Sequence, residues 1–225
     1  MHRKSQFATD YLVIIGVGMV VLAAVIFVLY AYYFGSSTNT SSNALELSTN
    51  QLKSSIDQVY AESSGAQASF YVEFPQISPA KSFFCENTIT ITSSTGSYTA
   101  QVDTNVSGLL PTTAGLDKVI IKNYISNGKA VINVGLSRSL SFVDFGAKLS
   151  GDTVNYNVSF YNSSGGIMNN VNFMIKLIDK NGTVLNESGG TASGVFSSSI
   201  SSSSPPPYLI MIFPISHSEV FSTCV

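Results

Sequence analysis

Residues 11–34 read YLVIIGVGMVVLAAVIFVLYAYYF and contain no charged side chain. As a helix rising about 1.5 Å per residue, this segment would extend about 36 Å, which exceeds the roughly 30 Å hydrocarbon core of a bilayer. Arg3 and Lys4 precede it, and no basic residue follows it closely. Because basic residues favour the cytoplasmic side, the pattern predicts a single transmembrane helix that leaves the bulk of the chain outside the cytoplasm.

The residues before this apolar segment do not form an ordinary secretory signal, whose apolar core is shorter and ends in small residues. They read RKSQFATDYL from Arg3 to Leu12. This stretch resembles the class III signal peptide of archaeal type IV pilin-like proteins. The resemblance implies that a prepilin peptidase cuts between Ser5 and Gln6, and that Asp10 is the acidic residue at the fifth mature position.

The same resemblance implies a role for the retained helix. The mature chain would begin at Gln6, whose new amino group could pair with Asp10 in its own or a neighbouring subunit. The expected partners are other copies in a helical homopolymer, the membrane, and a pilus assembly platform with its ATPase. The precursor would span the cell membrane once, and the assembled subunit would lie in an extracellular surface filament. An uncleaved signal anchor is the alternative.

A polar segment, GSSTNTSSN at residues 35–43, predicts a hinge after the apolar helix. Apolar residues then recur near helical spacing at Leu45, Leu52, Ile56, Val59 and Tyr60. This spacing predicts an amphipathic helix over residues 44–62, with its apolar face on the rest of the protein.

From about residue 67 the apolar residues alternate as in β-strands. We predict an α+β fold, in which the hydrophobic helix precedes an all-β head made of a small sheet and an immunoglobulin-like β-sandwich. The first β-domain would span residues 66–137 and the sandwich residues 138–225, although one continuous sandwich is the competing layout. Ser197 to Pro207 is nearly all Ser and Pro, which predicts an exposed loop.

Cysteine content is informative because Cys85 and Cys224 are the only two cysteines. An even number outside the cytoplasm permits a disulfide, which we expect here. Sequons for N-glycosylation are also present, and some of them could carry glycans. They begin at Asn39, Asn105, Asn157, Asn162, Asn181 and Asn186.

The composition gives no support to catalysis or to nucleic-acid binding. Charged residues make up 11% of the chain, the net charge is −2, and no basic stripe interleaved with aromatic residues is present. His2 and His217 are the only histidines, and His2 would leave with the leader. Residues 179–182, DKNG, lack the spacing and the closing Glu of a calcium loop, so we expect a hairpin turn there. We predict neither a cofactor nor a metal site.

These features together predict a structural subunit, a pilin, of an archaeal type IV pilus-like surface filament. The β-domains would be displayed outward for adhesion. Two alternatives remain at this point: a membrane-anchored surface binding protein that does not polymerise, and an archaellum filament subunit. Amino-terminal processing and filament formation distinguish the first alternative from the pilin.

Overall fold

The computed structural model describes residues 3–126, 129–179, 181–202 and 204–225. Within the N-terminal helix, side chains are described for residues 15–30 and 43–61. The chain divides between Ser42 and Asn43 into two compact units. Asn127, Gly128 and Lys180 lie outside the described residues.

Helix α1 runs from Arg3 to Ala61. It therefore continues through residues 35–43, where the polar sequence led us to expect a hinge. Ser5, Gln6, Asp10 and Asn39 fall within these helix bounds, but their side chains lie outside the described residues.

The predicted transmembrane helix requires correction. In the apolar segment the described side chains cover only residues 15–30. Among the helices formed by the described residues, none is both long enough and apolar enough to cross a membrane. The fold class is accordingly revised to a mostly β protein that carries an N-terminal helix.

The last part of α1 packs against the strands of the second unit. Leu45, Leu52, Ile56 and Val59 are fully or almost fully buried, whereas Tyr60 is exposed. Their separation of three, four or seven residues places them on one face of the helix. This apolar face joins the same continuous core as the strands.

The β-strands follow α1 and the short 3-10 helix Pro79–Lys81 lies among them. In the described residues the strands are β1 (Gln67–Phe74), β2 (Phe83–Cys85), β3 (Thr88–Ser93), β4 (Gly96–Gln101), β5 (Asn105–Pro111), β6 (Gly115–Ser126), β7 (Lys129–Leu136), β8 (Phe142–Ser150), β9 (Thr153–Tyr161), β10 (Val171–Ile178), β11 (Val184–Ala192), β12 (Phe196–Ser201), β13 (Leu209–Pro214) and β14 (Glu219–Cys224).

The largest sheet has eight strands in the order β1-β6-β7-β5-β14-β13-β10-β11. Its neighbouring strands are antiparallel except for β5 and β7, which run parallel. A three-stranded sheet, β12-β9-β8, contributes Phe160 to an aromatic contact with Phe173 of β10, their ring centroids 5.5 Å apart. The other small sheet, β2-β3-β4, lies beside β5 and β14.

This topology corrects the predicted head, which was a small sheet followed by a separate immunoglobulin-like sandwich. Strands from both halves of the chain share the eight-stranded sheet, because β14 pairs with β5. Alternating apolar residues predict where strands lie but do not determine which distant strand each one joins. The head is a multi-sheet β-sandwich-like fold.

Sequence patterns missed β2, β5 and β14 as strands. Strand β5 is buried from Val106 to Pro111, so it does not show the alternation that identifies a half-buried strand. It also contains Gly108, where a Cβ atom would come 2.3 Å from the Val134 carbonyl oxygen of β7. The predicted Ser197–Pro207 loop is partly wrong as well, because β12 continues to Ser201.

Cys85 and Cys224 form the predicted disulfide, with 4.9 Å between their Cα atoms. The bridge joins β2 to β14 across a sequence separation of 139 residues. Beside it, the backbone N–H of Phe84 donates a 2.7 Å hydrogen bond to the Ser222 hydroxyl oxygen. The end of the chain is thus attached both covalently and by hydrogen bonding to the body of the head.

Two Leu→Ala substitutions in α1 test how strongly the helix is held by the sheet. Leu52 is 0% exposed and Leu47 is 69% exposed. We expect Leu52→Ala to lower the free energy of unfolding by about 2–5 kcal/mol, because it leaves a cavity in the core. Leu47→Ala changes helix propensity equally and should cost at most about 0.5 kcal/mol. Denaturant titration of both variants measures the difference, and equal losses would contradict this packing.

The disulfide should contribute strongly to stability because it closes so long a loop. Replacing Cys85 and Cys224 together by Ala should lower the free energy of unfolding by about 4–5 kcal/mol in the chain-entropy model. Thermal unfolding of the oxidised protein and the double variant gives the difference. Each single Ala variant is the control, because breaking either half removes the same constraint. An unchanged unfolding temperature would show that the loop is already constrained without the bridge.

Candidate functional site

The described part of the apolar segment presents an uninterrupted hydrophobic surface. Eleven large apolar side chains between Ile15 and Leu29 are 40–72% exposed. They are Ile15, Val17, Met19, Val20, Val21, Leu22, Val25, Ile26, Phe27, Val28 and Leu29. Successive helical residues are separated by about 100°, so residues 25–29 alone pass more than once around the axis. This surface is therefore apolar on every side.

Four small residues lie among these large apolar side chains, at Gly16, Gly18, Ala23 and Ala24. A Cβ atom placed on Gly16 or Gly18 would meet nothing within 4 Å. These two positions are open shallow sites on the helix, where the backbone of another helix could approach closely.

A buried ionic cluster holds together three segments at one end of the head. Arg138, in the connection between β7 and β8, donates two 2.7 Å hydrogen bonds to the Asp117 carboxylate of β6. Its third nitrogen lies 3.5 Å from the Glu219 carboxylate of β14. Both acids are buried, and the bidentate geometry gives the Arg138–Asp117 pair directional strength.

Glu219 is the less well satisfied acid of this cluster. Burial raises the pKa of its carboxyl above the ordinary value, although the charge of Arg138 acts in the opposite direction. One oxygen, Oε2, is buried without a hydrogen-bond partner. Because folding raises the pKa of Glu219, this carboxyl stabilises the folded protein most at a pH below its ordinary pKa. That stabilisation is lost as the pH rises through the pKa of the folded state.

His217 lies close to Ser139 and Glu219, which are the residue types of a nucleophilic relay. The His217 Nδ1 atom is 3.4 Å from the Ser139 hydroxyl and 3.9 Å from Glu219 Oε2. A relay needs the base to contact its nucleophile and its acid through different ring nitrogens. Because both contacts use Nδ1, this arrangement cannot pass a proton in that way.

The Asp179 segment forms the turn between β10 and β11. The Asp179 carboxylate accepts hydrogen bonds from the backbone N–H groups of Asn181 and Thr183, at 2.9 and 2.8 Å. The Thr183 bond contributes most to lowering the pKa of Asp179. Among the described residues, no group of three His, Cys, Asp or Glu side chains could hold a metal ion.

The sequon asparagines with described side chains lie on the surface of the head. Asn105, Asn157, Asn181 and Asn186 are exposed, and Asn162 is partly exposed. The Asn186 side-chain nitrogen donates to the Ser201 carbonyl at 2.8 Å. A glycan attached to that nitrogen would leave it one N–H for this hydrogen bond and would have to fit beside Ser201, whereas Asn105 is exposed. Their modification stays a prediction.

Removing Arg138 should destabilise the head through the acids left behind. Replacement by Met keeps much of the side-chain volume but leaves Asp117 and Glu219 buried without a cation. We expect a loss of about 3 kcal/mol or more at pH 7. The loss should be smaller at pH 4, because burial raises the pKa of the Glu219 carboxyl and its protonation removes one of the unpaired charges.

The control for this experiment is Lys176→Met, which breaks the 3.3 Å pair between Lys176 and Glu187. Glu187 is well exposed, so the loss should stay below about 1 kcal/mol and vary little with pH. Chemical denaturation at both pH values measures each variant. An Arg138→Met effect that matches the control would show that the cluster is not stabilising.

Comparison with known proteins gives only remote similarities. No protein-family model matches the chain, and no curated protein matches it. A DUF3823 family protein from Bacteroides ovatus is 10% identical, with a TM-score of 0.31 over 70% of this chain and 97% of that one. Native alpha-2-macroglobulin from Escherichia coli, spanning domains NIE-MG1, is 10% identical with a TM-score of 0.28 over 59% of each chain. Ruminococcus gnavus beta-glucuronidase in complex with uronic isofagomine is 10% identical, with a TM-score of 0.25 over 72% of this chain and 35% of that one. At these TM-scores, none of the three supports an argument about this chain.

Proposed function

We propose that this chain is a pilin-like structural subunit of an extracellular filament. The N-terminal helices of many copies pack together, and the β-rich heads face outward for adhesion. The role is structural rather than catalytic. The observation that carries the proposal is the exposed apolar surface of α1 between Ile15 and Leu29.

The distribution of this surface favours a polymer over a dimer. One neighbouring helix covers only a stripe of the helix it contacts, roughly the width of a coiled-coil seam. A helix that is apolar on every side needs several neighbours to remove it from water. A bundle of identical helices supplies them, because each copy brings the same surface.

Open positions on α1 support close helix packing. A neighbouring backbone can approach at Gly16 and Gly18, where no side chain projects and no other atom lies nearby. Packing between helices improves when small residues allow such an approach. We propose that these glycines lie at contacts between subunits.

The amino-terminal sequence supports a processing step before assembly. We propose that a prepilin peptidase cuts between Ser5 and Gln6, in keeping with the resemblance to class III signal peptides. The new amino group at Gln6 would then pair with Asp10. A carboxylate at the start of an apolar helix is costly to bury unless a positive charge accompanies it.

The head has features suited to display outside the cell. Its disulfide is of a kind that persists in oxidising surroundings. Several sequons are exposed, and few charged residues are present on a surface that is instead rich in Ser, Thr and Asn. We propose that the head mediates surface contact and that glycans on it maintain solubility.

A matched pair of Val→Asp variants tests the assembly role. Val20 of α1 is 70% exposed and Val195 of the head is 63% exposed. Val20→Asp would bury an unpaired charge between subunits, at a cost of several kcal/mol. We expect at least a tenfold loss of filaments sheared from cells and sedimented, with little change for Val195→Asp.

Amino-terminal sequencing of the cell-associated protein completes the test. The wild-type chain should begin at Gln6, and Val20→Asp should still be cut there, so that lost filaments report assembly rather than processing. Normal filament yield from Val20→Asp would contradict packing through α1. A wild-type chain that begins at Met1 and never sediments as filaments would favour a surface binding protein that does not polymerise.

A further inference from the structure

A pocket of about 500 Å³ lies in the head between the large sheet and the β8–β9 pair. Its volume falls within the range of roughly 300–1,000 Å³ that is typical of small-molecule sites. Its lining includes Gln67, Lys122, Asn133, Phe142, Asp144 and Tyr161.

Strand register explains why polar side chains converge on this pocket. Lys122 of β6 is paired with Gln67 of β1 on one side and with Asn133 of β7 on the other. Directly paired residues project from the same face of a sheet, so these three form one polar row. The second wall contains Phe142 and Asp144, which lie on the same face of β8 because they are two residues apart.

Asn133 provides a buried hydrogen-bonding group that the protein itself leaves unsatisfied. Its side chain is 8% exposed, and its nitrogen donates to the Val143 carbonyl at 3.0 Å. Its oxygen, Oδ1, is buried and has no partner within the described residues. Leaving such an acceptor unpaired is unfavourable. Because Oδ1 is itself closed to solvent, a ligand hydroxyl would reach it after a small displacement of the Asn133 side chain.

The pocket carries one positive and one negative group that are not paired with each other. In the part of the chain described here, no salt bridge includes Lys122 or Asp144. The Lys122 ammonium instead lies 3.9 Å from the centroid of the Phe142 ring. An ammonium donor and a carboxylate acceptor therefore both remain available to a ligand.

The position of the Phe142 ring is fixed by the neighbouring strand. A Cβ atom at Gly135 of β7 would lie 2.4 Å from the ring atom Cε1, so only glycine leaves room for the ring. Because Phe142 holds the Lys122 ammonium, this close approach also fixes the position of the donor. The wall is preorganised, which reduces the entropy lost on binding.

Tyrosine hydroxyls add groups that can both donate and accept. Tyr124 forms a hydrogen bond with Ser107, and burial followed by the charge of Asp144 raises the pKa of its hydroxyl. It therefore stays protonated at neutral pH. Tyr161 is paired with Phe142 and brings a second phenol to the same wall.

We propose that this pocket binds a neutral saccharide unit, such as a terminal hexose of a cell-surface glycan. Sugar hydroxyls both donate and accept, which suits the alternation of Lys122, Asp144 and Asn133. The carboxylate of Asp144 repels acidic ligands and the ammonium of Lys122 repels cationic ones, so a neutral ligand is favoured over either. The inference deepens the adhesive part of the proposed function and is independent of filament assembly.

Binding should be measured on the full chain in a detergent without a sugar headgroup, because a glycoside detergent would compete. Methyl glycosides of glucose, galactose and mannose are titrated by calorimetry, with glucuronate as the acidic comparison. We expect saturable binding of at least one neutral glycoside and at least tenfold weaker binding of glucuronate. Binding to an array of surface glycans is then measured, to determine whether the pocket takes a free sugar or the terminal sugar of a glycan.

Matched variants assign the binding to the pocket. Asp144→Ala and Lys122→Met should each weaken binding about tenfold or more, because each removes a charge-assisted hydrogen bond. Asp152→Ala and Lys148→Met change exposed residues outside this pocket and should leave binding unchanged. Far-ultraviolet circular dichroism and thermal unfolding verify that each variant is folded.

Three results would overturn the inference. They are no binding by any neutral glycoside, preferential binding of glucuronate, and binding that survives in folded Asp144→Ala and Lys122→Met. Filament yield from the same variants is recorded separately. If the wild-type chain forms normal filaments but binds no sugar, only the sugar site is refuted. If the wild-type chain binds sugar but forms no filaments, only the assembly role is refuted.

Discussion

The pairing of β14 with β5 is the contact on which the head depends. The last strand of the chain enters the middle of the large sheet, with Val220 opposite Leu110 and Phe221 opposite Leu109. Strand β5 is then enclosed between β14 and β7. Without β14, the early strands and the late strands would form two separate sheets with unpaired edges. The sheet therefore becomes continuous only once the end of the chain is in place.

Other stabilising features of the head converge on this same strand. Cys224 is covalently bonded to Cys85, Ser222 accepts a hydrogen bond from Phe84, and Glu219 joins the Arg138 cluster. Long-range strand pairing has a high entropic cost, because a long loop must close before any contact is gained. The covalent bond on this strand offsets that cost where it is largest.

The sequence predicted local elements better than their pairing. Alternation located most strands, and the spacing of Leu45, Leu52, Ile56 and Val59 identified the helix face that is buried. The alternation pattern did not reveal β5, because that strand is buried on both faces and contains Gly108. Cysteine count, with the expectation of a head outside the cytoplasm, predicted the disulfide, since two cysteines allow only one pairing.

The polar sites could not be predicted from the sequence because their members meet only through strand pairing and register. Glu219 joins Arg138 and Asp117 only after β14 has paired with β5. Lys122 and Asn133 become neighbours through the register of β6 and β7, and the alternation pattern alone leaves a slip of two residues open. No spacing rule links either set of residues.

Because charged residues are scarce in this chain, the Arg138 cluster and the charged groups of the pocket, Lys122 and Asp144, call for an explanation. With 11 basic and 13 acidic residues in 225, most of the surface is made polar by hydroxyl and amide groups. Charges placed in partly buried positions incur a desolvation cost that exposed Ser or Asn would avoid. In the Arg138 cluster, bidentate pairing offsets that cost and joins separate segments. At Lys122 and Asp144 no such internal pairing occurs. Lys122 is partly buried over the Phe142 ring and Asp144 is exposed, so both charged groups remain accessible to the ligand proposed above.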